Sequence, residues 1–113
     1  MTVKEQKEIQ TKVGDIFVNT FGYSMTLQQF FQVIELKGRK AILQEVGVET
    51  KPTGWLQYDV RPIKNKFVKG SKPITKIIQT NGYIDKEYLS MGKGYGYAYK
   101  VKEGEWYSED HAD

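Results

Sequence analysis

Apolar and polar side chains alternate along most of the chain from Val13 onward, and this alternation predicts short β-strands. The clearest pair is Leu27–Leu36 and Lys40–Val46, which flank a polar turn at residues 37–39 and predict an antiparallel hairpin. In the first of these strands, Phe30 and Phe31 would point to opposite faces of the sheet. Both faces of the predicted sheet would therefore carry buried aromatic rings.

Turn-forming residues separate the other predicted strands. These strands lie at residues 13–21, 55–61, 74–80, 83–91 and 92–101, with a short last strand or docked tail beginning at Trp106. Gly47 predicts a bulge or a close backbone approach. Six or seven short strands without a convincing interior helix predict an all-β fold, a small antiparallel curved sheet or barrel of SH3-like or OB-like size. One helical turn at residues 25–31 is the alternative for that segment.

Length and composition indicate one globular domain. The chain has 113 residues, of which 39% are apolar and 27% are charged, and this suits a single core. Residues 1–12 are predicted to form a short N-terminal appendage, either helical or disordered. Residues 13–108 are predicted to form the β domain, and residues 109–113 an acidic tail.

Residue content excludes several classes of protein. There is no cysteine, so disulfides, thiolate metal sites and a cysteine nucleophile are excluded. No apolar run approaches the ~18 residues that span a bilayer, and the charged N-terminus does not resemble a secretory signal. The net charge of +3 is mildly basic and identifies no partner by itself. No cofactor is predicted.

Signals for catalysis and metal binding are weak. Ser108 and His111 are neighbours in a tail expected to be mobile, and Asp85 with Glu87 is interpreted as surface charge rather than an acid–base pair. His111 beside the terminal aspartates is a poor metal candidate, because it is the only imidazole. Residues 92–96 lack the rest of a phosphate-binding loop. The sequence therefore predicts a protein that is not an enzyme, with neither catalytic nor metal-ligating residues.

One segment has a recognisable order of residues, namely Phe21-Gly22-Tyr23-Ser24-Met25-Thr26 and then Phe30-Phe31-Gln32-Val33. It resembles a group of small uncharacterised proteins of bacteriophages, plasmids and integrative elements, with the pattern aromatic-Gly-Tyr-x-x-Thr followed by Phe-aromatic-Gln-Val. The resemblance covers residues 13–46, with Phe21 where tryptophan is usual and Phe31 where tyrosine is usual. It implies an accessory protein of a mobile element in the cytoplasm of a bacterial host, and it implies no catalytic residue.

The clearest polar feature is a run of cations with no acid between them, most of it after Pro62, which is predicted to end its strand. The cations are Arg61, Lys64, Lys66, Lys69, Lys72 and Lys76. A flexible basic connection fits binding to a phosphate backbone, and Phe67 within it would stack on a base. The alternative is a solvated loop with Phe67 in the core. Only Arg39 and Arg61 are arginines, which favours non-specific contact or an acidic protein partner over reading of guanine edges.

Tyr95, Tyr97 and Tyr99 alternate along a predicted strand and would share one face of it. Three interpretations are open: packing into the core, which is favoured, a platform on which bases stack, and a protein interface. In the last two cases the three tyrosines are candidate binding residues together with the basic run.

The leading hypothesis is a non-enzymatic accessory protein that binds nucleic acid non-specifically through the basic run and exposed aromatic rings. The alternative is a phage-encoded inhibitor or adaptor, such as an anti-defence factor, that binds a nucleic-acid-directed complex of the host. The acidic end, residues 103–113, would be solvated or would pair with the basic run of a second copy. The second case leaves a homodimer open.

Overall fold

The computed structural model describes residues 9–22, 25–80, 87–92 and 95–111, and these form one antiparallel β-sheet. Its strands are β1 (Ile16–Phe21), β2 (Leu27–Lys37), β3 (Lys40–Gly54), β4 (Gln57–Phe67), β5 (Ile74–Ile77), β6 (Gln79–Thr80), β7 (Glu87–Ser90), β8 (Tyr97–Lys100) and β9 (Tyr107–Asp110). The described part of the chain contains no helix that could cross a membrane. The all-β prediction is confirmed, and β2 replaces the helical turn considered at residues 25–31.

The sheet curls into a half-barrel. Its strand order is β6-β7-β8-β1-β2-β3-β4-β9, and β3 is long enough to pair with β5 and then with β4 along one edge. At the far end, Thr26 next to β2 exchanges two backbone hydrogen bonds of 2.9 Å with Asp110 of β9. This bridge joins the last strand in the order back to the middle of the sheet, so the predicted curved sheet is confirmed.

Each face of the central strands carries its own hydrophobic cluster. The first cluster contains Phe17, Phe31, Val33, Ala41, Leu43, Ile78, Leu89 and Ala98. The second cluster contains Ile16, Val18, Phe30, Val46 and Val60. Consecutive residues of one strand thus enter different cores, as the period of two predicts.

Two bulges change the face that later residues occupy. The pairing of β2 with β3 shifts between Val33 and Glu35, so Leu36 packs on the same cluster as Val33 instead of on the opposite face. A second shift lies at Gly47, where an added Cβ would be 3.6 Å from the carbonyl oxygen of Lys66. The bulge predicted at this glycine is confirmed, whereas the 3.6 Å distance is an ordinary contact and not the close backbone approach that was the alternative.

Two predicted strand ends are wrong. β3 continues to Gly54, and β4 continues through Pro62 to Phe67, so the first half of the predicted basic connection is strand. A proline is tolerated in β4 because β9 pairs with this strand only as far as Val60. Beyond Val60 one edge of β4 has no described partner, and no ladder hydrogen bond is lost there.

The boundaries predicted for the two termini also differ from the structure. Residues 1–8 lie outside the described residues, but Ile9 packs on the first cluster and Thr11 is buried. At the other end, β9 includes Glu109 and Asp110, which the sequence assigns to the tail. Backbone pairing with β4 orders these two acidic residues.

Replacing Gly22 with alanine should destabilise the protein by about 3 kcal/mol, because a Cβ there would overlap the backbone oxygen of Met25. Gly38 is the matched control, since it also has a positive φ, +61°, but has no atom within 4 Å of an added Cβ. Its replacement should cost about 1 kcal/mol, from the backbone conformation alone. Urea unfolding measures both values, and equal losses would contradict the packing seen at Gly22.

Candidate functional site

Four exposed lysines line the end of β4 and the loop that leads to β5, and this surface is called the basic strip. Its members are Lys64, Lys66, Lys69 and Lys72. None of the four forms an ion pair with another described residue. Between them lies Phe67, whose side chain is 39% exposed. The strip therefore presents four exposed cations and an accessible aromatic ring within residues 64–72.

A wide bulge in β4 holds the beginning of the basic strip. Between the last two paired positions β4 advances five residues while β3 advances two. Within this bulge Asn65 has a φ of +69°, a conformation that asparagine tolerates. Its backbone N–H donates to Oε1 of Gln32 at 2.7 Å, and its Oδ1 accepts from Nε2 of Gln32 at 2.8 Å. The buried Gln32 thus anchors the bulge that positions Lys64 and Lys66.

The first and last cations of the predicted basic run, Arg61 and Lys76, lie outside the basic strip. Arg61 donates from Nε to Oε1 of Glu49 at 2.8 Å, and its guanidinium lies 4.4 Å from the ring centroid of Trp106. Nζ of Lys51 lies 4.5 Å from the same centroid. Lys76 is half-buried on β5. The structure therefore separates these two predicted cations from the four that are exposed.

A cavity of about 330 Å³ opens beside Lys64 and contains charges of both signs. The charged residues that line it are Asp15, Arg61, Lys64, Lys102 and Glu103. Two carboxylates among three cations make the cavity a poor site for an anion. The cations available to a phosphate are therefore those along the strip and not those of the cavity.

The tyrosine face consists of Tyr88, Tyr97 and Tyr99 on β7 and β8. The ring of Tyr88 meets the ring of Tyr97 edge-on at 5.4 Å and lies 6.1 Å from that of Tyr99. Tyr97 and Tyr99 are 53% and 42% exposed, Tyr95 is 63% exposed, and Ala98 is buried on the other side of the strand. The favoured interpretation of the three predicted tyrosines as core residues is therefore wrong.

The basic strip and the tyrosine face lie on different parts of the sheet. Three strands, β1, β2 and β3, separate β8 from β4 in the strand order. The cavity beside Lys64 is lined by none of the predicted tyrosines, and the groove that reaches Tyr99 is lined by none of the predicted cations. The structure thus divides the single predicted surface into two.

Glu87 accepts hydrogen bonds from three groups. The donors are the backbone N–H of Gln10, the hydroxyl of Thr11 and, at 3.0 Å, Nζ of Lys100. Burial by itself raises the pKa of Glu87, but these hydrogen bonds and the Lys100 charge outweigh it and hold the pKa below the ordinary 4.5. The carboxylate thus holds residues 10 and 11 against the sheet by hydrogen bonds. Asp85, the other acid of the predicted pair, lies outside the described residues.

The remaining polar candidates are ordered by contacts within the fold. Ser108 is part of β9, and the ring of His111 packs edge-on against Tyr58 at 5.1 Å, so the mobile tail expected there is wrong for both. Nε2 of His111 lies 3.0 Å from Oε1 of Glu109. In the described ranges no three histidine or carboxylate side chains are grouped to hold a metal ion. Residues 93–94 and 112–113 lie outside those ranges.

The feature that the sequence interpretation missed most clearly is Trp55. It lies at the tip of the β3–β4 hairpin and is 82% exposed, the highest value among the large apolar side chains described. Leu56 beside it has a φ of +56°, which closes the two-residue turn. The available signal was a tryptophan directly after the turn residues Pro52-Thr53-Gly54. An aromatic residue in a turn has little opportunity to reach a core.

Comparison with known protein families, with characterised proteins and with solved structures found no match.

Replacing Glu87 with glutamine should lower the free energy of unfolding by about 1–2 kcal/mol at pH 7, because the charged acceptor of three hydrogen bonds is lost. The pKa of Glu87 is lowered in the folded state. Its contribution is therefore complete above the unfolded-state value and is lost as the pH falls through the folded-state value. Urea unfolding should show a difference between variant and wild type at pH 7 that shrinks at about pH 3.

Glu35→Gln is the control for this prediction. Glu35 pairs with Lys37 at 3.6 Å, and both side chains are more than half exposed. Its replacement should cost no more than a few tenths of a kcal/mol. A loss at Glu87 as small as this would show that the three contacts do not stabilise the fold.

Proposed function

We propose that the protein binds single-stranded nucleic acid without sequence specificity, with phosphates on the basic strip and one base on Phe67. The observation that carries the proposal is a stretch of nine residues, 64–72, with four exposed lysines that have no described ion-pair partner and a phenylalanine that is 39% exposed. Lysine–phosphate contacts are independent of sequence, and stacking on an aromatic ring accepts any base. The strip contains no arginine, the usual reader of guanine edges.

The exposed ring favours a single strand over a duplex. Stacking of a base on Phe67 requires a base whose face is free, and a paired base is covered by its neighbours. Two of the lysines precede Phe67 in the chain and two follow it, so the cations and the ring lie within nine consecutive residues. The basic strip is therefore suited to track an extended backbone.

Protection of a free sheet edge is another reason for lysines on β4. Charged side chains on such an edge prevent pairing with another chain, and this accounts for Lys64 and Lys66. It does not account for Lys69 and Lys72, which follow the end of the strand, or for the exposed ring of Phe67. Nucleic-acid binding accounts for all five residues.

The resemblance of residues 13–46 to accessory proteins of phages and plasmids supports an origin on a mobile element. The cytoplasm of the bacterial host, where nucleic acid is present, is then the expected location. The competing hypothesis is an inhibitor or adaptor that binds a host complex, and it would place the same lysines against an acidic protein surface. The oligonucleotide experiments below distinguish the two hypotheses.

Reversing three charges of the basic strip, Lys64→Glu, Lys66→Glu and Lys69→Glu together, should weaken binding to a single-stranded DNA of about 15 nucleotides by at least ~100-fold. For the wild type, four phosphate contacts predict a slope of about −3 for log K against log salt. Fluorescence anisotropy of a labelled oligonucleotide of mixed sequence measures both quantities.

The control is the triple variant Lys12→Glu, Lys37→Glu and Lys40→Glu, in which the net charge changes equally but the exposed lysines lie outside the strip. Its affinity should fall by no more than about threefold, the effect of net charge alone. Equal losses in the two triple variants would contradict a localised site. A wild-type protein that does not bind the oligonucleotide would contradict the proposed function and favour an acidic protein partner.

Replacing Phe67 with alanine should weaken oligonucleotide binding about tenfold and leave the salt slope unchanged, because a stacking contact is lost and no phosphate contact is. Phe21→Ala is the matched control, since Phe21 on β1 is 37% exposed and Phe67 is 39% exposed. The control should bind as the wild type does. Unchanged binding of Phe67→Ala would remove the base-stacking part of the proposal.

A further inference from the structure

The hairpin tip carries an apolar side chain that the fold leaves uncovered. Trp55 is 82% exposed, and it lies between two strands that pair with each other up to Gly54 and Gln57. Tryptophan is enriched among the residues that dominate protein interfaces, where a pocket desolvates the ring. The tip therefore has the chemistry of an anchor for another surface.

A groove elsewhere on the same chain has the complementary chemistry. Its volume is about 660 Å³, and its apolar lining consists of Val18, Tyr99, Val101 and Tyr107. The charged residues Glu87, Lys100, Lys102 and Glu105 line the same groove. Burial and the hydrogen bond with Glu105 raise the pKa of Tyr107 to about 12, so its hydroxyl stays neutral. An apolar floor with polar groups around it suits an indole, which is an apolar ring with one N–H donor.

The charges beside the tip exclude two other occupants. Residues 51–60 and 108–111, which flank the tip, contain three carboxylates, those of Asp59, Glu109 and Asp110, and one cation, Lys51, which lies opposite Asp59, so their net charge is −2. Nucleic acid and anionic lipid would both be repelled from such a surface. The groove is lined by two lysines and two carboxylates, so its charges balance and it does not repel the acidic tip.

We propose that Trp55 of one copy docks in the groove of a second copy, and that the two copies exchange tips in a two-fold dimer. Val60, five residues after Trp55, pairs with Tyr107 of the groove. Tip and groove are thus separated by roughly 16 Å of extended strand. In a two-fold arrangement, two hairpins lying side by side over this length bring each tip to the groove of the other copy.

The area involved indicates a weak dimer. Each indole buries about 150–250 Å², and the groove buries a similar area, so two insertions bury on the order of 800 Å². This is below the ~1,200 Å² of stable interfaces and in the range of weak, transient ones, and the expected dissociation constant is on the order of 10–100 μM. The contact is separate from the basic strip, so the proposed dimer and the proposed nucleic-acid binding can fail independently.

The experiment is sedimentation velocity of the full chain from about 5 μM to about 500 μM, a range that spans the expected dissociation constant. The wild type should shift from monomer to dimer across this range. Trp55→Ala should weaken dimerisation at least ~10-fold. Ile77→Ala is the matched control, because Ile77 is an exposed apolar residue of β5, 52% accessible, outside both tip and groove. The control and the charge-reversed strip variant should dimerise as the wild type does.

Mixing two variants tests the exchange itself. Tyr99→Ala impairs the groove and should dimerise as poorly as Trp55→Ala, whereas Tyr95→Ala, which lies outside the groove lining, should not. A mixture of Trp55→Ala and Tyr99→Ala retains one intact tip and one intact groove, so it should associate more tightly than either variant alone. A wild type that stays monomeric, an effect of Ile77→Ala equal to that of Trp55→Ala, or the absence of rescue on mixing would overturn the proposal.

Discussion

Both faces of the sheet carry apolar side chains, so each face needs other residues to shield it from water. This requirement explains the curl of the sheet and the position of its last strands. Phe30 and Phe31 are adjacent on β2 and enter different hydrophobic clusters. Ile78 and Leu89 contribute to the cover of one face, while Val60 and the partly buried Tyr107 contribute to the other. Because the described chain offers only strands for this purpose, the sheet has to curl back on itself, and the bridge between Thr26 and β9 marks where it does so.

The candidate binding surface arises where this regular pairing is interrupted. The register of β3 shifts at Gly47, and opposite this shift β4 forms a bulge. The bulge contains Asn65, which is hydrogen-bonded to Gln32. Residues in such a bulge leave the alternation of the strand, so their side chains can be exposed without removing a neighbour from the core. The lysines of the basic strip begin in this bulge and continue into the loop, away from both hydrophobic clusters.

The basic strip and the hairpin tip differ in charge and therefore suit different partners. The basic strip follows β4 and the loop before β5, whereas the hairpin tip is flanked by three carboxylates and one lysine, namely Asp59, Glu109, Asp110 and Lys51. A polyanion is attracted to the first surface and repelled from the second. Self-association through Trp55 and the groove would therefore leave the strip free, and a dimer would present two strips to one nucleic-acid strand, which raises its effective affinity.

The all-β fold, the β2–β3 hairpin and the two-sided burial of Phe30 and Phe31 could be predicted from the sequence, because alternation and turn chemistry act over a few residues. The sequence also located the lysines of the basic strip. Only the tertiary structure decided that Arg61 is held by Glu49 and Trp106, and that Tyr97, Tyr99 and Trp55 are exposed. Alternation shows which side chains share a face, but whether that face is covered depends on strands distant in sequence that only the folded chain brings together.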